Sequence, residues 1–291
     1  VVLDWINTVL QGVLVGGLYA LFATGLSLSF GIMRTINIAH GDIAVMAGFL
    51  AIALHDRVGA PVPVLLALVV PAAALAGYAL QRLVLNRTLG PDLLPPLLVT
   101  FGLSIIAQNV LLTAFSADSR SLPVGELGVA SVGLGAGIAV GVLPLLAMAA
   151  AVAVLGALQR LFSHTALGRA FRAASDDPEM AGAMGIPTRH IYSIAMALAL
   201  AAAAIAGVFM AMRSNIAPTD GPARLLYAFE AIIIGGLGSL WGTLLGGVLL
   251  GVAQAIALKL DPGWGILGGH LAFFAVLLLR PQGLLPRTRD H

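Results

Sequence analysis

The sequence predicts an all-α polytopic membrane protein: about eight to ten transmembrane helices, interrupted segments among them, and one short cytoplasmic helix. Three observations carry that expectation. Of the 291 residues, 59% are hydrophobic and 10% charged, at a mean hydropathy of +1.01, whereas soluble domains average about 45–50% apolar and about 25% charged. The apolar residues fall in repeated runs of roughly 16–26 with few charges, near the ~20 that cross a bilayer as a helix. Those runs do not alternate with period two, which favours helices over a β-barrel.

Taken in order, the candidate spans are 5–30, 36–54, 62–85, 93–115, 137–159, 191–212, 225–240, 242–260 and 264–279, a single membrane domain over residues 1–291. Residues 5–30 are too long for a signal-peptide core and no Ala-x-Ala site follows, so no cleavable leader is expected. With the N-terminus outside, the inside loops hold Arg34, Arg82, Arg87, Arg160, Arg169, Arg172, Arg189, Arg280, Arg287 and Arg289. The outside holds Arg57, Arg120, Arg213, Arg224 and Lys259. Cytoplasmic loops are the arginine-rich ones, so ten against five sets the orientation. It also accounts for the net charge of +2 without a nucleic-acid partner. Residues 116–136 read as the longest outside loop and 160–190 as the longest inside loop.

Glycines recur every fourth residue at Gly12 and Gly16, at Gly238, Gly242 and Gly246, and at Gly247 and Gly251. Small residues at that spacing let helix backbones approach closely in lipid, so helix packing is the plainer reading.

Two apolar segments are interrupted. The stretch FGIMRTINIAHGDIAVMAGF, residues 30–49, places Arg34, Asn37, His40 and Asp42 between strong spans. A charge at the bilayer centre costs about 2.5–3.5 kcal/mol on insertion scales. The break is therefore a short cytoplasmic turn or a discontinuous helix beside a transport route, with His40 and Asp42 a candidate neutralising pair. Residues 227–247, YAFEAIIIGGLGSLWGTLLGG, carry Glu230 and then Gly235, Gly236 and Gly238. Interrupted segments in two halves of a transporter mark the pathway, so Asn37, His40, Asp42, Glu230, Gly235, Gly236 and Gly238 are the candidate pathway residues.

Enzyme chemistry is poorly provided for. Lys259 is the only lysine and precedes Leu260, so the chain has no P-loop of its own. His-Glu-x-x-His and Gly-x-Ser-x-Gly are missing, and with no cysteine neither disulfides nor thiolate metal sites are available. No metal site and no cofactor of its own are expected.

The polar stretch ASDDPEMAGAMGIP, residues 174–187, stands out in this composition. Pro178 suits a first helical position, Asp177 an N-cap before it, and Glu179 the positive end of the helix dipole. Gly185 suits a left-handed terminator, with Pro187 blocking continuation. Residues 178–184 thus read as one helix of about 10 Å, too short to span and marginal alone in water. It packs on its own bundle or on a cytoplasmic protein, to which it would offer Met180 and Met184, one turn apart.

The longer run GRAFRAASDDPEMAGAMGIPTRHI resembles the cytoplasmic loop of bacterial ABC importer permeases of the branched-chain amino acid (Liv-type) class. GLYALFATGLSLSFGIMRTINIAHGDIAVMAGF resembles that family's N-terminal signature, with Asn37-Ile38-Ala39-His40-Gly41 pointing to the first of its two paired permease types. IIIGGLGSLWGTLLGGVLLG and LLLRPQGLLPR resemble its C-terminal elements. The resemblance implies an inner-membrane, multi-pass permease without an ATPase site. Its partners would be a second permease (a paralogue or a second copy), two cytoplasmic ATPase subunits holding ATP and Mg, and a periplasmic substrate-binding protein. Asp176, Asp177, Pro178, Glu179, Met180, Met184 and Gly185 would form the coupling helix seated in an ATPase groove. The cargo implied is a branched-chain amino acid or a related small amino acid, amide or carboxylate. The competing reading from the residues is an ion- or proton-coupled secondary carrier using His40, Asp42 and Glu230.

Overall fold

A computed structural model of the chain describes residues 2–90, 92, 94–135 and 138–285, the side chain of Leu134 apart. Arg287 and Arg289, the end of LLLRPQGLLPR, and residue 137, the expected start of the fifth span, lie outside the described residues. The helices in chain order are α1 (Val2–Met33), α2 (His40–Val58), α3 (Val62–Leu83), α4 (Leu94–Phe115), α5 (Val142–His164), α6 (Ala166–Asp176), α7 (Pro178–Ala183), α8 (Thr188–Arg213), α9 (Gly221–Gly235), α10 (Leu240–Leu260) and α11 (Gly265–Leu279). Each of the nine expected spans contains a helix, although residues 36–39, 138–141 and 236–239 of the expected spans are not helical. Seven are long and apolar enough to cross a membrane. The other two are the helices next to the expected interruptions: α2, which carries His40, Asp42, His55, Asp56 and Arg57, and α9, of 15 residues.

The fifth span begins at Val142 because the residues before it form a hairpin of β1 (Ser131–Gly135) and β2 (Ile138–Gly141), antiparallel and bulged between Gly133 and Gly135. The inside loop is not irregular either, since α6 and α7 fill most of it.

Helix α8 occupies the centre, packed on α1, α2 and α3. In its most apolar stretch 72% is buried within the chain, against 78% for α1 and 6% for the run ending in α11. A helix enclosed on several sides requires small side chains where backbones cross, and Ala195, Ala199, Ala203, Ala206 and Gly207 are all buried. The glycine spacing is helix packing, as expected, except at Gly238, which lies in the turn between α9 and α10. A Cβ on Gly12 would lie 2.7 Å from Val252 Cα, and one on Gly251 2.6 Å from the Gly16 nitrogen, so α1 and α10 meet backbone to backbone. On the other side of α10, a Cβ on Gly246 would lie 2.8 Å from the Gly235 nitrogen of α9.

A helix end leaves its last carbonyls unpaired. At the end of α9 the chain's own final described residues supply two donors: Leu284 N–H reaches Ile234 O at 2.8 Å and Leu285 N–H reaches Gly235 O at 2.9 Å.

Candidate functional site

The expected surface helix forms with the expected caps. Asp177 Oδ1 accepts from the amides of Glu179 and Met180 at 3.0 and 2.9 Å. At the other end Gly185 takes φ +85°, its amide donates to Gly182 O, and the Ile186 amide donates to Ala181 O. That pair of bonds is a Schellman termination, which satisfies the helix's last carbonyls around a left-handed residue. Helix α7 ends one residue earlier than expected, at Ala183, with Met184 as its C-cap. Only Ala181 of α7 is buried. Asp176, Asp177, Pro178 and Glu179 are exposed or nearly so, and Met180 and Met184 are 61% and 79% exposed.

This knob is fastened to the bundle through α6. Thr165 caps α6 by accepting from Gly168 N–H at 3.0 Å, and Phe171, fully buried, stacks on Phe162 of α5. Arg172 donates to the Phe162 carbonyl. Ser175 Oγ donates to Gly31 O at 2.7 Å in the last turn of α1, and Tyr192 Oη of α8 donates to Ala174 O at 3.2 Å. Helix α6, which leads into α7, is thus bonded to the ends of the two most buried helices, α1 and α8.

The break after α1 turns inward. Arg34 reverses the chain at φ +52°, and Asn37 Oδ1 then accepts from Ala39 N–H at 3.0 Å in a side-chain turn that starts α2. His40 Nε2 lies 2.9 Å from Phe22 O. Phe22 stands about 16 Å back along α1 from Met33. Residues 34–39 therefore climb beside α1, and α2 begins deep in the bundle. The chain also folds back after α8. Ile216 pairs with Arg120 and packs on Gly48 of α2, and Gly221 opens α9 against Gly41 and Asp42, about 10 Å earlier on α2. A Cβ on Gly221 would overlap the Asp42 carboxylate.

Two helix N-termini, each the positive end of a dipole, meet at Asp42. Its carboxylate accepts from Ser104 Oγ at 2.5 Å and Gln108 Nε2 at 2.9 Å, both on α4. His40 and Asp42 are not a neutralising pair, because each is held by a different helix. Asp42→Leu is expected to orphan the buried Ser104 hydroxyl, at about 1–3 kcal/mol, and to leave the Gln108 amide only its 3.3 Å bond to Ser104 Oγ. Asp42→Asn keeps an acceptor and should lose less, and detergent-unfolding midpoints of the purified chain measure both. Equal losses would show that charge at the helix ends, not hydrogen bonding, holds this joint.

Asn37, His40 and Asp42 come together, with Asn37 Nδ2 also 3.8 Å from Met196 Sδ. Glu230 does not join them. It lies about 13 Å further along α9 than Gly221, and accepts from His270 Nδ1 of α11. Gly235 closes α9 against Gly242, while Gly236 and Gly238, at φ +104° and +76°, turn the chain into α10. The candidate pathway residues thus occupy three places. Thr100, whose Oγ1 accepts from the Ile38 amide at 3.2 Å, Ser104 and Gln108 on α4, and His270 on α11 escaped sequence reasoning. The signal was present in α4, whose Thr100, Ser104 and Gln108 recur every fourth residue on one face.

Spanning helices around a buried central one, two helices that begin inside the bundle, and a capped helix exposed beyond it define a multi-pass helical membrane protein. Residues 8–276 match the family described as the permease component of the branched-chain amino acid transport system, and the chain belongs to that family. It is 30% identical over 296 residues to the high-affinity branched-chain amino acid transport system permease protein BraD of Pseudomonas aeruginosa, covering 97% of this chain and 96% of that one. It is 30% identical over 299 residues to the corresponding protein LivH of Escherichia coli, covering 98% and 96%. Among solved structures, PsaBC from Streptococcus pneumoniae in complex with Fab aligns over 97% of both chains with a TM-score of 0.52 at 14% identity, a likeness of fold.

Proposed function

We propose that the chain is a membrane subunit of an ATP-driven ABC importer that carries branched-chain amino acids, or a related small amino acid, amide or carboxylate, across the bacterial inner membrane. A second permease, a paralogue or another copy, completes the pore. Two cytoplasmic ATPase subunits bind ATP and Mg, and a periplasmic binding protein delivers the cargo. The observation that carries this reading is the exposed α7 knob, capped at both ends and tied through Ser175 and Tyr192 to α1 and α8. A helix this short is marginal alone, and its bare methionines suit a groove in a partner. Family membership and the names borne by BraD and LivH support the cargo class.

On this reading, closure of the ATPase pair pushes α7. Helix α6 passes the displacement to Gly31 of α1 and to the start of α8. Those helices in turn hold Asn37 and His40 at the start of α2, so the joint around Asp42 moves with them.

The test is uptake of labelled leucine into liposomes carrying this chain with the proteins that co-purify with it. Uptake is expected only with ATP and the binding protein present. Flux through this chain alone, driven by a proton or sodium gradient, would overturn the importer reading in favour of a secondary carrier, for which the Glu230–His270 pair within the bundle is the motive.

A further inference from the structure

Among the described residues, six buried side-chain polar atoms lack a hydrogen-bond partner, and three of them fall in one belt: Arg224 Nε, Glu230 Oε2 and Gln254 Nε2. The belt joins four helices. Tyr19 of α1 donates to Gln254 Oε1 of α10 at 2.5 Å, and its ring lies 5.3 Å from that of Tyr227 on α9. Tyr227 in turn stacks on His270 of α11 at 6.3 Å, and His270 holds one oxygen of Glu230. The Glu230 side chain is 3% exposed, yet its second oxygen is unmatched. Above it, Arg224 binds Asp220 through Nη2 at 3.3 Å and lies within electrostatic reach of Tyr227 and of Arg213. Arg213 has no carboxylate partner among the described residues.

This face is not sealed. His270 is 36% and Arg224 26% exposed at the side chain, and Arg213 is exposed. Arginine and imidazole facing hydrocarbon carry a cost of several kcal/mol, so the face borders water, a polar solute or the second permease. What it offers is ordered along α9 at three-residue intervals: a cationic end at Arg224, an aromatic ring at Tyr227, and an anionic end at Glu230. We propose that this belt is a binding station for a zwitterionic α-amino acid. Its ammonium goes to Glu230 Oε2 beside the Tyr227 ring, and its carboxylate to Arg224 and Arg213. The assignment rests on the importer reading and adds to it a place in the chain that reads both charges of the cargo backbone. A buried carboxylate with a free oxygen suits a transient cation, and tyrosine faces attract ammonium groups.

The experiment uses the full chain with its co-purifying partners in nanodiscs and three probes: L-leucine, 4-methylpentanoate, which lacks the ammonium, and isoamylamine, which lacks the carboxylate. The readout is protection against thermal unfolding of this chain. Leucine is expected to protect, and neither truncated probe should do so at the same concentration. Glu230→Gln keeps the contact with His270 and so should fold. It is expected to weaken leucine protection about tenfold or more, as loss of a charge-assisted bond requires, and Arg224→Gln should do likewise. Equal protection by the truncated probes, protection retained in Glu230→Gln, or no protection by leucine would each overturn the station. ATP-driven uptake by the unaltered complex, run in parallel, separates the two claims. Uptake without leucine protection removes the station and leaves the importer, whereas protection without uptake does the reverse.

Discussion

Leucine at position 207 is expected to leave almost no folded chain in the membrane. Gly207 is where α2 and α8 cross most closely, and a Cβ there would collide with the carbonyl of Ala44. The obstacle is backbone, which cannot rotate away as a side-chain tip would. Alanine alone would force the helices apart, and leucine adds three more carbons. Moving α2 off α8 also withdraws Asp42 from Ser104 and Gln108 and Gly41 from Gly221, so buried polar groups lose partners together with the apolar packing. Gly156 supplies the control, since it lies in the spanning helix α5 and a Cβ added there would meet nothing within 4 Å. Size-exclusion profiles of fluorescently tagged chains should show Gly156→Leu as a single peak and Gly207→Leu as aggregate or absent. Similar profiles for the two would disprove the close crossing.

Proline at position 185 should abolish leucine uptake while leaving the chain inserted and monodisperse. The residue sits at φ +85°, and proline is fixed near −65°. Proline also removes the amide that donates to Gly182 O at 3.0 Å, one of the two bonds of the Schellman termination. Neither change touches the core, because α7 buries only Ala181. The damage is thus confined to the shape of the knob and the direction in which the chain leaves it for α8. Asp177→Ala removes the N-cap at about 1 kcal/mol and should give a partial loss. Uptake unimpaired in the proline variant would strip α7 of any coupling role.

The contrast between α7 and the joint around Asp42 shows what a sequence of this kind makes legible. Caps are local: Asp177, Pro178 and Gly185 act on residues two to four away, so the helix and its left-handed terminator could be read directly. Spans are legible for a similar reason, since length and unbroken apolarity suffice. Depth is not local. Whether residues 34–39 lie in water or climb inside the bundle depends on who satisfies Asn37, His40 and Asp42, and those partners lie on α1, α4 and α8. Ser104 and Gln108 stand in an apolar run, and nothing near them in the chain marks them as partners of Asp42, 62 and 66 residues away. Helix α6 was missed because an amphipathic surface helix with Arg169 and Arg172 on its polar side has the composition of a loop. His270 was missed because one histidine in an apolar segment has no pattern of its own.

The segment that closes over the end of α9 bears on how the sequence can drift. Leu284 and Leu285 contribute their backbone amides to Ile234 and Gly235, a service that every amino acid but proline can perform. At Leu284, which is partly buried, a substitution must keep both the N–H and the packing. At Leu285, which is exposed, only the N–H is asked for, and a library randomised at position 285 should return every residue type except proline.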